Sequence, residues 1–114
     1  MLERIDTVCM KVNNVQRASD WYEEHLGFEV VFRGEGYRIL HVGDKGVPLT
    51  IEEGEGANKE GNYPIFYSND IKETYETLKG KGVQLGRLHD DGVNTFFDFF
   101  DADSNRLQVC HYRE

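Results

Sequence analysis

Hydrophobic and polar positions along this chain form two similar halves. Short apolar runs at Val8–Val12 and Pro64–Ser68 are each followed by a polar break, Asn13-Asn14 in one half and Asn69-Asp70 in the other. Asn and Asp side chains accept hydrogen bonds from the free amides of a helix's first turn. Both breaks therefore predict a helix N-terminus directly after a strand.

Behind each break, apolar residues recur at helical spacing along a single stripe. The first stripe runs from Val15 to Leu26 and ends before Gly27. The second runs from Ile71 to Leu78 and ends at Gly80 and Gly82. Glycine is the usual residue just after a helix, because it adopts a left-handed conformation without steric cost. Each half therefore predicts one amphipathic helix.

Three strand candidates with turn residues between them follow each helix. They are Phe28–Phe32, Tyr37–Val42 and Val47–Glu52 in the first half, and Val83–Leu88, Thr95–Phe100 and Arg106–Tyr112 in the second. A half of about 55 residues buries too little surface to be stable alone. We therefore assign residues 1–114 to a single domain, with module one at about 1–53, a Gly-rich acidic linker at about 54–61 and module two at about 62–114.

Composition narrows the possible partners. The chain has 13 Lys and Arg against 21 Asp and Glu, which gives a net charge of −8. This negative charge repels nucleic acid and anionic membranes. The mean hydropathy is −0.61 and no apolar run is long enough to span a membrane. The first residues lack the basic segment followed by an apolar segment that a secretory signal has, so we expect a cytoplasmic protein. Cys9 and Cys110 show no CxxC spacing and are expected to be reduced, buried thiols.

Three segments carry a resemblance to a known family. They are Val15–Phe28, in which an aromatic pair precedes Leu-Gly-Phe, the stretch Ser68–Ile71, and Asp101–Leu107. Together they resemble the vicinal oxygen chelate superfamily, which contains glyoxalase I, fosfomycin-modifying enzymes, extradiol dioxygenases and bleomycin-resistance proteins. The third segment departs from the usual Asp-Pro-Asp-Gly-Asn at Ala102 and Ser104. The resemblance implies an α+β fold in which two βαβββ modules in tandem form a curled mixed-sheet cup with helices on its outer face.

Strand alternation predicts which residues line that cup, because successive side chains point to opposite faces of a sheet. The larger apolar residues belong against the helices, and their neighbours then face inward. Lys11, Ile39, Ile65, Phe100 and Cys110 are placed inward by this rule. The candidate binding residues are Thr7, Cys9, Tyr37, His41, Thr50, Glu52, Tyr63, Tyr67, Phe96, Asp98, Gln108 and Tyr112. The alternation is weakest at Tyr37–Val42, which leaves the register there open.

The resemblance also implies where metal-dependent members hold their ion. Those positions fall here on Thr7, Thr50, Tyr63 and Gln108, of which only Gln108 is a plausible ligand by type. We therefore predict no metal and no cofactor. His41 should lie near Thr50 and Glu52, either as a structural histidine or in hydrogen bonding and proton transfer. His25 and His89 are expected to be solvated, and His111 to face away from the cup.

An aromatic, polar cup is typical of a protein that binds a flat or cationic organic molecule. We expect a metal-free small-molecule binding protein, similar to the bleomycin-resistance branch, that sequesters an aromatic or cationic ligand. The alternative is a metal-dependent or acid–base lyase, isomerase or thiol transferase of the glyoxalase type, so whether the chain is an enzyme stays open. A third possibility is an interaction module with a vestigial cup. The resemblance also implies a homodimer.

Overall fold

The computed structural model describes residues 1–57 and 61–113. The chain divides into two compact units, and the division falls within residues 58–60. The linker predicted at 54–61 therefore lies partly outside the described residues, as does Glu114 at the end of the predicted second module. No described helix is long and apolar enough to cross a membrane.

The first unit contains one helix and a four-stranded mixed sheet. Its elements are β1 (Val8–Val12), α1 (Val15–Leu26), β2 (Glu29–Gly34), β3 (Tyr37–His41) and β4 (Leu49–Glu53). The strand order is β1-β4-β3-β2, with β1 parallel to β4 and the other pairs antiparallel. The unit is therefore a βαβββ module, as predicted.

The second unit repeats this plan with one strand divided. Its elements are β5 (Ile65–Tyr67), α2 (Ile71–Gly80), β6 (Gln84–Leu85), β7 (His89–Asp90), β8 (Asn94–Phe100) and β9 (Arg106–Tyr112). The order is β5-β9-β8-β6, β7 also pairs with β8, and β5 is parallel to β9. The predicted α+β class is confirmed in both units.

The strand predicted at Val83–Leu88 is wrong in extent, and His89 lies in a separate strand, β7. Only Gln84 and Leu85 pair with β8 before the chain bends. At the bend the Gly86 amide donates to the carbonyl of Asp98 at 2.7 Å. A Cβ on Gly86 would lie only 3.4 Å from that oxygen, so the close approach of the two backbones favours glycine.

The predicted helix starts are confirmed in detail. The side chain of Asn14 accepts from the Arg17 amide at 2.9 Å, and that of Asp70 accepts from the Glu73 amide at 3.2 Å. Gly27 ends α1 with a φ of +71°, in the left-handed region that favours glycine.

Each helix packs against one face of its own sheet. In the first unit Tyr22 of α1 is fully buried, as are Leu40, Ile51 and Val12 on the sheet. In the second unit the buried sheet residues are Phe97, Phe99, Leu107 and Val109. Because side chains alternate along strands, the intervening residues point away from the helix. We call these surfaces the first and the second open face.

Candidate functional site

The first open face carries the residues that alternate with Leu40, Leu49 and Ile51. In the sheet, Thr50 is paired with Cys9 on one side and Ile39 on the other, and Glu52 is paired with Lys11 and Tyr37. Paired residues on neighbouring strands point to the same face. The first open face is therefore Cys9, Lys11, Tyr37, Ile39, Thr50 and Glu52, as strand alternation predicts; their role in binding stays a prediction.

Two threonine hydroxyls lie together at one end of this face. The Oγ1 atoms of Thr7 and Thr50 are 2.7 Å apart, within hydrogen-bond distance. Thr7 Oγ1 also lies 3.1 Å from the carbonyl oxygen of Pro48, to which it can donate. The pair is thus satisfied by local contacts within the first unit.

His41 is not beside Glu52, and the expectation that placed it there is wrong. The ladder pairs Glu52 with Tyr37, while His41 lies four residues further along β3 and pairs with Glu29. At about 3.4 Å per residue, this offset separates His41 from Glu52 by roughly 14 Å along the strand. His41 instead borders a hollow shared with Gly27, Glu29 and Asp44. Its imidazole and the Glu52 carboxylate therefore cannot act on one reacting atom.

Glu52 forms an ion pair with Lys11, which is not among the candidate binding residues. Lys11 Nζ forms a close ion pair with Glu52 Oε1, and this hydrogen bond raises the pKa of Lys11. Alternation places Lys11 on the same face as Cys9, and the pattern could have identified it as part of the site. The pairing reduces the negative charge that Glu52 offers to a ligand.

Cys9 is exposed and Cys110 is only half-buried, so the prediction of two buried thiols is wrong. Cys9 lies three residues before the buried Val12 on the same strand, so its side chain points to the opposite face of the sheet. Partial burial raises the pKa of the Cys9 thiol, Glu52 raises it further, and Lys11 lowers it. The pKa of Cys110 is also raised by burial. Neither thiol is activated as a nucleophile, because nucleophilic cysteines need a lowered pKa.

A β-bulge adds an aromatic residue to the first open face. Between Val30 and Phe32 the register against β3 shifts, so Val30 pairs with the core residue Leu40 and Phe32 with Ile39. The rings of Phe32 and Tyr37 stack with centroids 5.8 Å apart, and Phe32 is 51% exposed. Simple alternation from Val30 places Phe32 on the helix side, so the sequence pattern does not predict its position on the open face.

The second open face is defined by the partners of β9. It comprises Ile65, Tyr67, Asn94, Phe96, Asp98, Phe100, Arg106, Gln108, Cys110 and Tyr112. These residues alternate with the buried Phe97, Phe99, Leu107 and Val109. As predicted, His111 points the other way, and its Nδ1 lies 2.7 Å from the carbonyl oxygen of Ser68.

A polar cluster occupies one end of the second open face. Gln108 Nε2 donates to Asp98 Oδ1 at 3.0 Å, and Arg106 Nε donates to Asp98 Oδ2 at 3.1 Å. The guanidinium carbon of Arg106 lies 3.9 Å from the ring centroid of Tyr63. The candidate set omitted Arg106, although alternation places it on the same face as Gln108. Asp98, like Glu52, is therefore paired with a cation.

Aromatic side chains occupy the other end of this face. Tyr67 and Tyr112 meet edge to face with centroids 5.0 Å apart, and the Tyr67 hydroxyl donates to the Tyr112 carbonyl at 3.2 Å. Phe96 stacks on His89 at 5.1 Å. Tyr67 is 46% exposed and Tyr112 41%. Strand alternation predicts all of these rings on this face except that of His89, which is exposed, as expected.

The positions that could hold a metal ion do not fit a divalent cation. Thr7 and Thr50 are neutral hydroxyls bonded to each other, Gln108 directs an amide N–H to Asp98, and Tyr63 is covered by a guanidinium. A cation needs several carboxylate, imidazole or thiolate donors. Within residues 1–57 and 61–113, no three His, Cys, Asp or Glu side chains converge in a metal-binding arrangement. The absence of a cofactor stays a prediction.

A match to a protein-family model identifies the superfamily of this chain. The model of the Glyoxalase/Bleomycin resistance protein/Dioxygenase superfamily matches residues 4–109. The chain belongs to this superfamily. The Bacillus subtilis (strain 168) protein YetH is 30% identical to this chain over 114 residues, which cover 92% of this chain and 95% of YetH. The family resemblance drawn from Val15–Phe28, Ser68–Ile71 and Asp101–Leu107 is thereby confirmed.

Solved structures of other proteins are also similar in fold to this chain. TnmS3, an antibiotic binding protein from Streptomyces sp. CB03234, matches with a TM-score of 0.84 at 15% identity, covering 98% of each chain. The fosfomycin resistance protein FosX from Listeria monocytogenes matches with a TM-score of 0.82 at 15% identity, covering 99% of this chain and 96% of FosX. These likenesses show the fold. Superfamily membership does not by itself assign a function, because one fold supports different functions.

Proposed function

We propose that this member of the superfamily binds an aromatic organic molecule on its open faces, without a metal ion and without altering the molecule chemically. The observation that carries the proposal is the exposure of aromatic rings on the sheets. Tyr67 and Tyr112 on the second open face and Phe32 on the first are each more than two-fifths exposed. Exposed apolar groups of this kind mark a binding surface more often than scattered single residues do.

The charges on the open faces favour an aromatic ligand over a cationic one. Glu52 is paired with Lys11 and Asp98 with Arg106, so neither carboxylate is left to balance a ligand's positive charge. Rings that stack or meet edge to face contribute about 0.5–1.5 kcal/mol per pair beyond area burial. Of the two ligand types expected from the sequence, the aromatic one is therefore the better supported.

The chemistry of the described side chains supports binding rather than catalysis. A general acid or base must lie within hydrogen-bond reach of the proton that it transfers, so His41 and Glu52, which are far apart along their ladder, cannot act together at one reacting centre. The thiols of Cys9 and Cys110 have raised pKa values. The description of TnmS3 as an antibiotic binding protein shows that a structure with this fold serves binding. No contact in the described residues favours the lyase, isomerase or thiol transferase alternative.

A matched pair of ligands tests the proposal directly. Isothermal calorimetry on the full chain would compare 2-naphthamide with its saturated analogue decahydronaphthalene-2-carboxamide. We expect 2-naphthamide to bind at least about 5-fold more tightly, since only the aromatic ring can stack. Tyr112→Leu should weaken 2-naphthamide by a similar factor. Trp21→Leu, which removes a ring stacked on His25 of α1, should leave the affinity unchanged.

Three results would overturn the proposal or part of it. Equal affinity for the two amides, or no binding of either, would show that exposed rings do not make an aromatic site. One equivalent of Zn, Ni, Mn or Fe in protein purified without an affinity tag would overturn its metal-free part.

A further inference from the structure

The guanidinium of Arg106 is held on two sides and leaves one edge open. Its Nε donates to Asp98 Oδ2, and the ring of Tyr63 covers one of its faces at 3.9 Å. The side chain is nevertheless 46% exposed. A guanidinium carries five N–H donors in a fixed fork, and Nε–H is only one of them. The four donors on Nη1 and Nη2 have no partner among residues 1–57 and 61–113.

Holding Arg106 in place favours its use as a binding group. A free arginine loses side-chain entropy when it binds a ligand, whereas a guanidinium already fixed by an ion pair and a ring has less to lose. Gln108 donates to the other oxygen of Asp98, so the carboxylate is shared between two donors and only one of its oxygens faces Arg106. The Nη edge is thus fixed in position and still able to donate.

An aromatic residue lies next to this edge. In the ladder Arg106 pairs with Phe100, so both side chains lie on the second open face as immediate neighbours. Asp98 and Gln108 follow as the next pair on that face, and then Phe96 with Cys110. A planar molecule on this face can therefore contact aromatic rings while an acidic group at its end reaches the guanidinium.

We infer that Arg106 is a specificity-determining residue that selects aromatic ligands bearing a carboxylate, which it binds end-on through Nη1 and Nη2. Arginine and carboxylate form two parallel hydrogen bonds, and such charge-assisted pairs are stronger than bonds between neutral groups. This inference rests on the proposed function, because it names the ligand class of the same surface.

The overall charge of the protein makes the inference sharply testable. With a net charge of −8, the chain's general field disfavours anions and attracts cations. A measured preference for an aromatic anion over an aromatic cation must therefore come from local contacts.

The experiment compares three ligands of one shape by calorimetry on the full chain: 2-naphthoate, neutral 2-naphthamide and cationic 2-naphthylmethylammonium. We expect 2-naphthoate to bind about 10-fold more tightly than the amide, and the cation more weakly than either. Arg106→Gln should remove that 10-fold preference of the protein for 2-naphthoate over the amide. Arg106→Lys keeps the charge without the fork and should retain only part of the preference.

Arg87→Gln is the matched control, since it removes the same charge from an exposed position in the same unit. The inference is overturned if the wild-type protein binds 2-naphthoate no better than 2-naphthamide, or if Arg87→Gln weakens 2-naphthoate as much as Arg106→Gln does. In either case the proposed function stands as long as 2-naphthamide binds. If none of the three ligands binds, both the inference and the proposed function fail. Circular dichroism and the thermal midpoint verify that each variant is folded.

Discussion

At the scale of single residues, Ser104 stands out because it has a φ of +64°, the one non-glycine residue with positive φ in the described part of the chain. Its turn is held by Asp101, whose Oδ1 accepts from the amides of Asp103 and Asn105, both at 2.9 Å. Asp101 Oδ2 accepts from Asn105 Nδ2, also at 2.9 Å. These buried bonds fix the turn firmly enough to hold a serine in a conformation that glycine prefers.

We predict that Ser104→Gly raises the free energy of unfolding by about 1 kcal/mol, because glycine pays no steric cost in the left-handed region. Urea unfolding monitored by circular dichroism measures the change. Ala102→Gly is the matched control in the same turn. Ala102 does not have a positive φ, so glycine there adds only unfolded-state entropy and should destabilise. An equal effect of both substitutions would contradict this explanation.

At the scale of elements, the Asp91 carboxylate binds two backbone amides in the turn between β7 and β8. Asp91 Oδ1 accepts from the amides of Asn94 at 2.6 Å and Val93 at 2.9 Å. These two hydrogen bonds hold the pKa of Asp91 below its usual value. A carboxyl group whose pKa is lower in the folded state stabilises the fold above its unfolded pKa of about 3.9. That stabilisation is lost as the pH falls through the folded pKa.

Asp91→Asn should therefore lower the free energy of unfolding at pH 7, and its difference from wild type should shrink as the pH falls below about 4. Asparagine keeps the acceptor oxygen, so the substitution isolates the contribution of the charge. Urea unfolding at pH 7 and pH 3 measures both effects. Asp44→Asn, at an exposed loop position, is the control and should show neither. A difference that stays constant between the two pH values would argue against a role for the charge.

Strand pairing at the element scale also explains which site residues could be foreseen. The faces of Cys9, Thr50 and Glu52 follow from alternation alone, and the ladder places them as expected. The bulge that turns Phe32 outward and the pairing that separates His41 from Glu52 depend on how β2, β3 and β4 align. Register of this kind is set by contacts between strands, so the alternation within one strand does not reveal it.

At the scale of the whole molecule, we propose that the chain forms a homodimer, as the family resemblance implies. Each described sheet ends in strands with a single in-sheet neighbour, β1 and β2 in the first unit and β5 and β6 in the second. Unpaired strand edges are surfaces through which chains associate. Light scattering coupled to gel filtration at micromolar concentration should give twice the chain mass of 13.2 kDa. A species of 13.2 kDa across the concentration series would contradict the proposal.

The sequence alone determined the order of the elements apart from β7, both helix starts and the face on which most candidate residues lie. Those features depend on capping residues and on periods of 2 and 3.6, which are local along the chain. Only the tertiary structure decided that Glu52 is paired with Lys11, and that Arg106 joins Asp98 and Tyr63. These contacts connect residues 8 to 43 positions apart in sequence, so they exist only once the strands have found their register.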